Sequence, residues 1–94
     1  MSDTVNFEAL GHYVDATERA QALSQQYNTI MKKLEYAIRG AQHPSQGHRY
    51  QMFNFDDAKA LLSQGEQLYR SLEAAIREAN LYAADCAKPT LTIA

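Results

Sequence analysis

Small and apolar residues recur along the first half of the chain at Ala9, Tyr13, Ala16, Ala20, Leu23, Tyr27, Ile30, Leu34 and Ala37, in alternating steps of four and three. That spacing keeps all of them on one stripe of an α-helix, the seam of a heptad repeat. The rhythm then stops, and restarts at Ala58, Leu61, Gly65, Leu68, Leu72, Ala75, Ala79, Tyr82 and Cys86. Two long helices follow, the first over about 5–41 and the second over about 55–87, joined by a loop over about 42–54 and followed by a tail at 88–94. At 1.5 Å per residue each helix is about 45 to 50 Å long. The pattern predicts a single all-α domain, an antiparallel helical hairpin with a coiled-coil seam.

Both helices carry a second apolar row beside the seam: Leu10, Met31 and Ile38 on the first, and Leu62, Tyr69, Ile76 and Ala83 on the second. A two-stranded seam needs only the first row. The extra row implies further neighbours, and two hairpins packing as a dimeric four-helix bundle supply them. A monomeric three-helix bundle, with the segment before Gly11 folded back over the second row, is the alternative. In either case Gly65, Ala75 and Ala79 must face larger residues such as Ile30, Tyr27 and Leu23 to avoid voids.

Charge placement agrees with the helices. Asp15 and Arg19, Glu35 and Arg39, Glu66 and Arg70, and Glu73 and Arg77 are acid-first pairs four residues apart, the favourable orientation on a helix. Asn54 is the expected N-cap of the second helix, with Asp56 and Asp57 suited to its dipole and Phe53 placed to staple onto Ala58. Lys88 and Pro89 mark its end. Gly11, together with the capping-box pattern Asp15-Ala-Thr-Glu18, raises the prospect of a break near the start of the first helix.

Composition changes this picture little. The chain has 94 residues, 46% hydrophobic and 21% charged, with a formal net charge of −2 that gives no global attraction to nucleic acid or anionic membrane. One cysteine, Cys86, excludes an intrachain disulfide and a multi-cysteine zinc site, and fits a reducing compartment. Its seam position predicts a buried thiol rather than a nucleophile. No run of 18 apolar residues and no basic, apolar leader is present, so the expected location is cytoplasmic, with no membrane contact.

The stretch QHPSQGHRYQMFNF, Gln42 to Phe55, holds the chain's densest mixture of side-chain chemistry. At about a dozen residues the linker exceeds the usual two to eight between packed helices. Arg49, Tyr50, Met52 and Phe53 lie outside both heptads and combine the aromatic, flexible and guanidinium groups that concentrate binding energy, which makes them the candidate partner-binding anchors. His43 and His48, with Ser45 between them, form neither a nucleophile elbow nor a recognisable triad. Glu8, His12 and Asp15 would share one helix face but lack the paired Glu-x-x-His elements of di-iron bundles. No catalytic residue, metal site or cofactor is therefore predicted. Lys32, Lys33, Arg39, Arg49 and Lys59 gather toward the loop end and are the candidate contacts of an alternative, nucleic-acid-binding reading, with Tyr50 able to stack a base.

In length and hairpin layout the chain resembles two families of secreted helical hairpins, the WXG100 proteins and the needle subunits of type III secretion. The resemblance covers architecture alone: there is no tryptophan, hence no Trp-x-Gly turn, and HPSQG matches neither turn pattern. Bacterial and phage accessory proteins are similar in size and composition. The expected function is that of a non-enzymatic interaction module, a small intracellular adaptor, regulator or inhibitor that forms a homodimer and binds a protein partner. An assembly subunit of a helical-hairpin secretion or phage structure is a further alternative.

Overall fold

The computed structural model describes residues 6–92. Helix α1 runs Phe7–Ala41 and helix α2 runs Phe55–Ala83, packed antiparallel, with a short ribbon of β1 (Ser45–Gln46) and β2 (Arg49–Tyr50) between them and a 3-10 turn at Ala84–Cys86. Every predicted seam residue on both helices is buried or half-buried. The seam is thin. Its buried residues are small, apart from Tyr13, and no large side chain is fully enclosed. The radius of gyration, 20.0 Å, well exceeds the ~12 Å of a compact chain of this length, because two helices side by side make a rod about as wide as they are thick, 17 × 17 Å.

The helices are closed as their capping residues dictate. Asn6 accepts a hydrogen bond from the Ala9 amide at 3.0 Å and Asn54 accepts one from the Asp57 amide at 3.0 Å, each satisfying a free donor of a first turn. The break near Gly11 does not occur, and α1 is continuous from Phe7. Gly11 faces open space, so it weakens the helix without interrupting the packing of Ala9 and Tyr13 on either side. The second capping box is not formed either: the Thr17 hydroxyl donates to the Tyr13 carbonyl at 2.7 Å, and Asp15 holds Arg19 at 3.2 Å. Residue 5, the expected start, lies outside the described residues.

Three of the predicted acid-first pairs are joined, Asp15 with Arg19, Glu35 with Arg39 and Glu66 with Arg70. Among the described residues Glu73 and Arg77 stay outside salt-bridge distance. A pair that the helical spacing could not announce, Arg19 with Glu78, ties α1 to α2.

The rod has two unlike broad faces. On one, Arg19 pairs with Glu78 and His12 stacks on Tyr82 with ring centroids 4.7 Å apart. On the other lie both of the additional apolar rows, since Thr17 and Ser24 of the α1 row share an open hollow with Ile76 of the α2 row. Residues 7–10, ahead of Gly11, are not folded back over this face, because they already form the first turn of α1, and residues 1–5 lie outside the described residues. The C-terminal tail covers one end of it instead. α2 stops four residues short of the expected 87; Ala87 turns into the left-handed region at φ 57°, and the Lys88 amide donates back to the Ala83 carbonyl at 2.9 Å. The tail then returns along α2. The Tyr13 hydroxyl donates to the Pro89 carbonyl at 2.9 Å, and Leu91 packs beside Leu10 against Ala9, Tyr13, Ala16, Ala79, Ala83 and Cys86. Residues 93–94 of the predicted tail lie outside the described residues. No described helix is long and apolar enough to cross a membrane.

Candidate functional site

The loop predicted as a connector contains structure of its own. Ser45 pairs with Tyr50 and Gln46 with Arg49 across a two-residue turn, Gly47-His48, in which Gly47 takes φ 62°. Glycine at the first central position with positive φ is the signature of a II′ turn, whose twist matches that of paired strands. Pro44 fixes the approach, and its carbonyl accepts a hydrogen bond from the Gln51 amide at 2.6 Å, one rung beyond the ribbon. An isolated ribbon this short has little stability. Its base is held by the helix ends: the Gln51 side chain lies against Gly40, and Phe53 meets Phe55 edge to face at 4.7 Å.

The four candidate anchors divide between two depressions. Arg49 and Tyr50 line a shallow one of about 270 Å³ with His43 and Pro44. Met52 and Phe53 line another of about 200 Å³, floored by Ala37, Ala58 and Leu61. Gln51 borders both. Tyr50 is 73% exposed and Met52 87%, whereas Phe53 is half-buried, meets Phe55 at the start of α2 and lines the second depression together with Ala58, onto which it was expected to staple. That depression opens on the polar face of the rod. Its rim residues Gly40 and Asp57 continue, at multiples of seven residues, the rows that carry Arg19 and Glu78.

The remaining candidate groups do not converge on the same place. His43 and Asp57 border different depressions, and His48 occupies the exposed turn. Continuity of α1 does bring Glu8, His12 and Asp15 to one side, but His12 is stacked on Tyr82 and Asp15 is bound to Arg19. Among the described residues no group of three His, Cys, Asp or Glu side chains is placed to hold a metal. The Cys86 thiol is buried, 3.2 Å from the Tyr82 carbonyl and 3.6 Å from that of Ala83.

No family model, curated protein or solved structure matches the chain.

The basic residues are distributed around the rod. Lys32 and Arg39, seven residues apart, lie on one outer row of α1, where Arg39 is paired with Glu35 at 2.6 Å. Lys33 belongs to the row of Arg19 on the polar face, Lys59 to the row of Glu66 on α2, and Arg49 to the ribbon. A duplex or single strand following one face of the rod would meet only part of this set.

Sequence reasoning overlooked the ribbon and the docked tail. The ribbon had a local signal, a glycine beginning a two-residue turn between short exposed segments. The tail had none, because its partners Tyr13 and Asn80 lie 76 and 11 residues away.

Proposed function

We propose that the chain is a non-enzymatic protein–protein interaction module, a small cytoplasmic adaptor, regulator or inhibitor that engages a protein partner through its loop end. The observation that carries this reading is the pair of adjoining depressions beneath Tyr50 and Met52, two large side chains left largely in water at the tip of the rod. Exposed aromatic and methionine side chains beside an arginine are the composition of binding hot spots, and a ribbon anchored at its base presents them with little ordering cost. Separation of His43 from Asp57 supports binding over catalysis. The single thiol, Cys86, supports a reducing compartment.

The hairpin acts as a homodimeric four-helix bundle in this reading. Its support is the apolar face, where Ile38 and Leu62 are 47% and 53% exposed above a seam that encloses no large side chain, so that a second copy adds apolar burial the hairpin lacks.

The test is affinity capture from the native host with wild-type chain and the Arg49→Ala/Tyr50→Ala variant, followed by mass spectrometry. The variant is expected to keep its helicity and melting midpoint and to bind the captured protein at least about fivefold more weakly, the equivalent of ~1 kcal/mol. Equal binding by both chains would remove the loop end as the site. A variant that melts much earlier and loses its self-association would make the ribbon a structural cap.

A further inference from the structure

The apolar face is self-complementary, and its form specifies how a second copy sits on it. Along α1 the row beside the seam reads Thr17, Ser24, Met31, Ile38; along α2 it reads Phe55, Leu62, Tyr69, Ile76. Toward the loop, Ile38 and Phe55 stand out from the surface, Phe55 being 67% exposed. Toward the open end, Thr17, Ala20 and Ser24 are too short to meet Leu72 and Ile76, leaving a hollow of about 520 Å³ closed at its far side by Leu91. Ile38 and Ser24, which lines the hollow, are equidistant from the middle of the α1 row, as Phe55 and Tyr69 are from the middle of the α2 row. Met31 is seven residues from both Ser24 and Ile38, and Leu62 is seven from both Phe55 and Tyr69, about 10 Å in each direction.

We infer that the chain forms an antiparallel homodimer in which a two-fold axis crosses the apolar face at Met31 and Leu62, seating Ile38 of each copy in the hollow over Ser24 of the other and Phe55 against the partly exposed ring of Tyr69. A two-fold interface is isologous, so each projection is used twice. The rim agrees in polarity, with one pair of opposite charge. Lys59 lies three residues before Leu62 and Glu66 four after, and Asn28 lies three before Met31 and Glu35 four after, so the axis brings Lys59 to Glu66 and Asn28 to Glu35 of the other copy. A parallel pairing would set Ile38 against Phe55 and hollow against hollow, and would stack the two docked tails on each other.

The area suffices. Overlap from the level of Ala20 to that of Gln42 is about 33 Å long, and with a rod 17 Å wide each copy contributes roughly 560 Å², together about 1,100 Å², above the ~1,000 Å² of a specific interface. The depression beneath Met52 opens on the opposite face, so it stays open in such a dimer.

This inference rests on the dimer reading, and its tests separate the two. Sedimentation equilibrium of Leu62→Asp, a substitution at a half-exposed position that spares the seam, is expected to show at least tenfold weaker association with unchanged helicity. If the wild-type chain is monomeric at tens of micromolar, both readings fall. Register is read from disulfide trapping in a Cys86→Ala background. Leu62→Cys is expected to form a covalent dimer on mild oxidation, because the axis brings the two thiols together. If Leu62→Cys does not cross-link while a mixture of Ile38→Cys and Phe55→Cys chains forms the mixed disulfide, the dimer stands and the antiparallel inference is overturned. Charge reversal gives a second reading: Lys59→Glu is expected to weaken association and Lys59→Glu/Glu66→Lys to restore it, whereas restoration by Lys59→Glu/Glu35→Lys instead would point to the parallel pairing.

Discussion

The side-chain amide of Asn80 pairs with the backbone of Leu91 in both directions, accepting from its N–H at 2.7 Å and donating to its carbonyl at 3.0 Å. An asparagine side chain carries the same donor and acceptor as a peptide unit, so it can hold an extended segment as a neighbouring strand would. The consequence is local order in a segment that, among the described residues, contributes one apolar side chain, Leu91, to the packed cluster.

Asn80→Ala is therefore expected to release the tail and destabilise the chain by about 1–2 kcal/mol, two partly exposed hydrogen bonds plus part of the Leu91 contact. Urea denaturation measures the loss, and faster amide exchange at Leu91 locates it. Tyr13→Phe, which deletes the bond to the Pro89 carbonyl while keeping the ring, should cost about 0.5–1.5 kcal/mol. The double variant should lose less than the sum, because either change alone already frees the tail.

Ala87 occupies the left-handed region at φ 57°, which costs a residue with a Cβ about 1–2 kcal/mol. Ala87→Gly removes that strain and returns part of the gain through a more flexible unfolded chain. The expected result is a stabilisation of about 0.5–1 kcal/mol, read as a higher denaturation midpoint at unchanged m-value.

Ala16 and Ala79 are wholly buried in the cluster between the helices. A larger side chain there has no space to enter, so Ala79→Leu is expected to destabilise by about 1–3 kcal/mol or more through forced separation of the helices. Thermal melting by circular dichroism checks it. At Leu62, on the open face, a change between aliphatic side chains of similar size should leave the monomer's stability within about 0.5 kcal/mol.

Gly47→Ala places a Cβ at φ 62° in the turn of the ribbon. The turn should open, with loss of the Ser45 to Tyr50 cross-strand signals in NMR. The melting midpoint should barely move, because the ribbon lies beyond the seam. Partner capture should fall along with that of the Arg49→Ala/Tyr50→Ala variant if the ribbon's shape presents the anchors.

Gly65 illustrates how far the heptad alone reaches. A Cβ at that position would lie 2.7 Å from the terminal methyl of Met31 and 3.6 Å from Ile30, so the small seam residue does face large ones, as volume matching requires. That much was legible, as were the existence of two long helices, the cap at Asn54 and the grouping of apolar rows, because each depends on interactions within a few residues of helix. The cross-helix pair of Arg19 and Glu78, by contrast, requires the relative register of two helices, which a repeat of seven leaves ambiguous by any whole number of heptads.

The candidate site divides in the same way. Which residues of the loop were chemically suited to binding followed from their types and their exclusion from the seams. How they group, Arg49 and Tyr50 in one depression and Met52 and Phe53 in another, was set by the strand pairing of Ser45 with Tyr50 and by the seating of Phe53 on Phe55. The sequence by itself determined two helices, their wet and apolar faces and the chemistry at their junction, since periodicity and capping are local and repeat many times. The tertiary structure alone decided the continuity of α1 through Gly11, the pairing across the seam and the return of the tail onto Tyr13 and Asn80. Those outcomes turn on a few contacts between residues distant along the chain, each worth about 1 kcal/mol and none repeated often enough to leave a pattern.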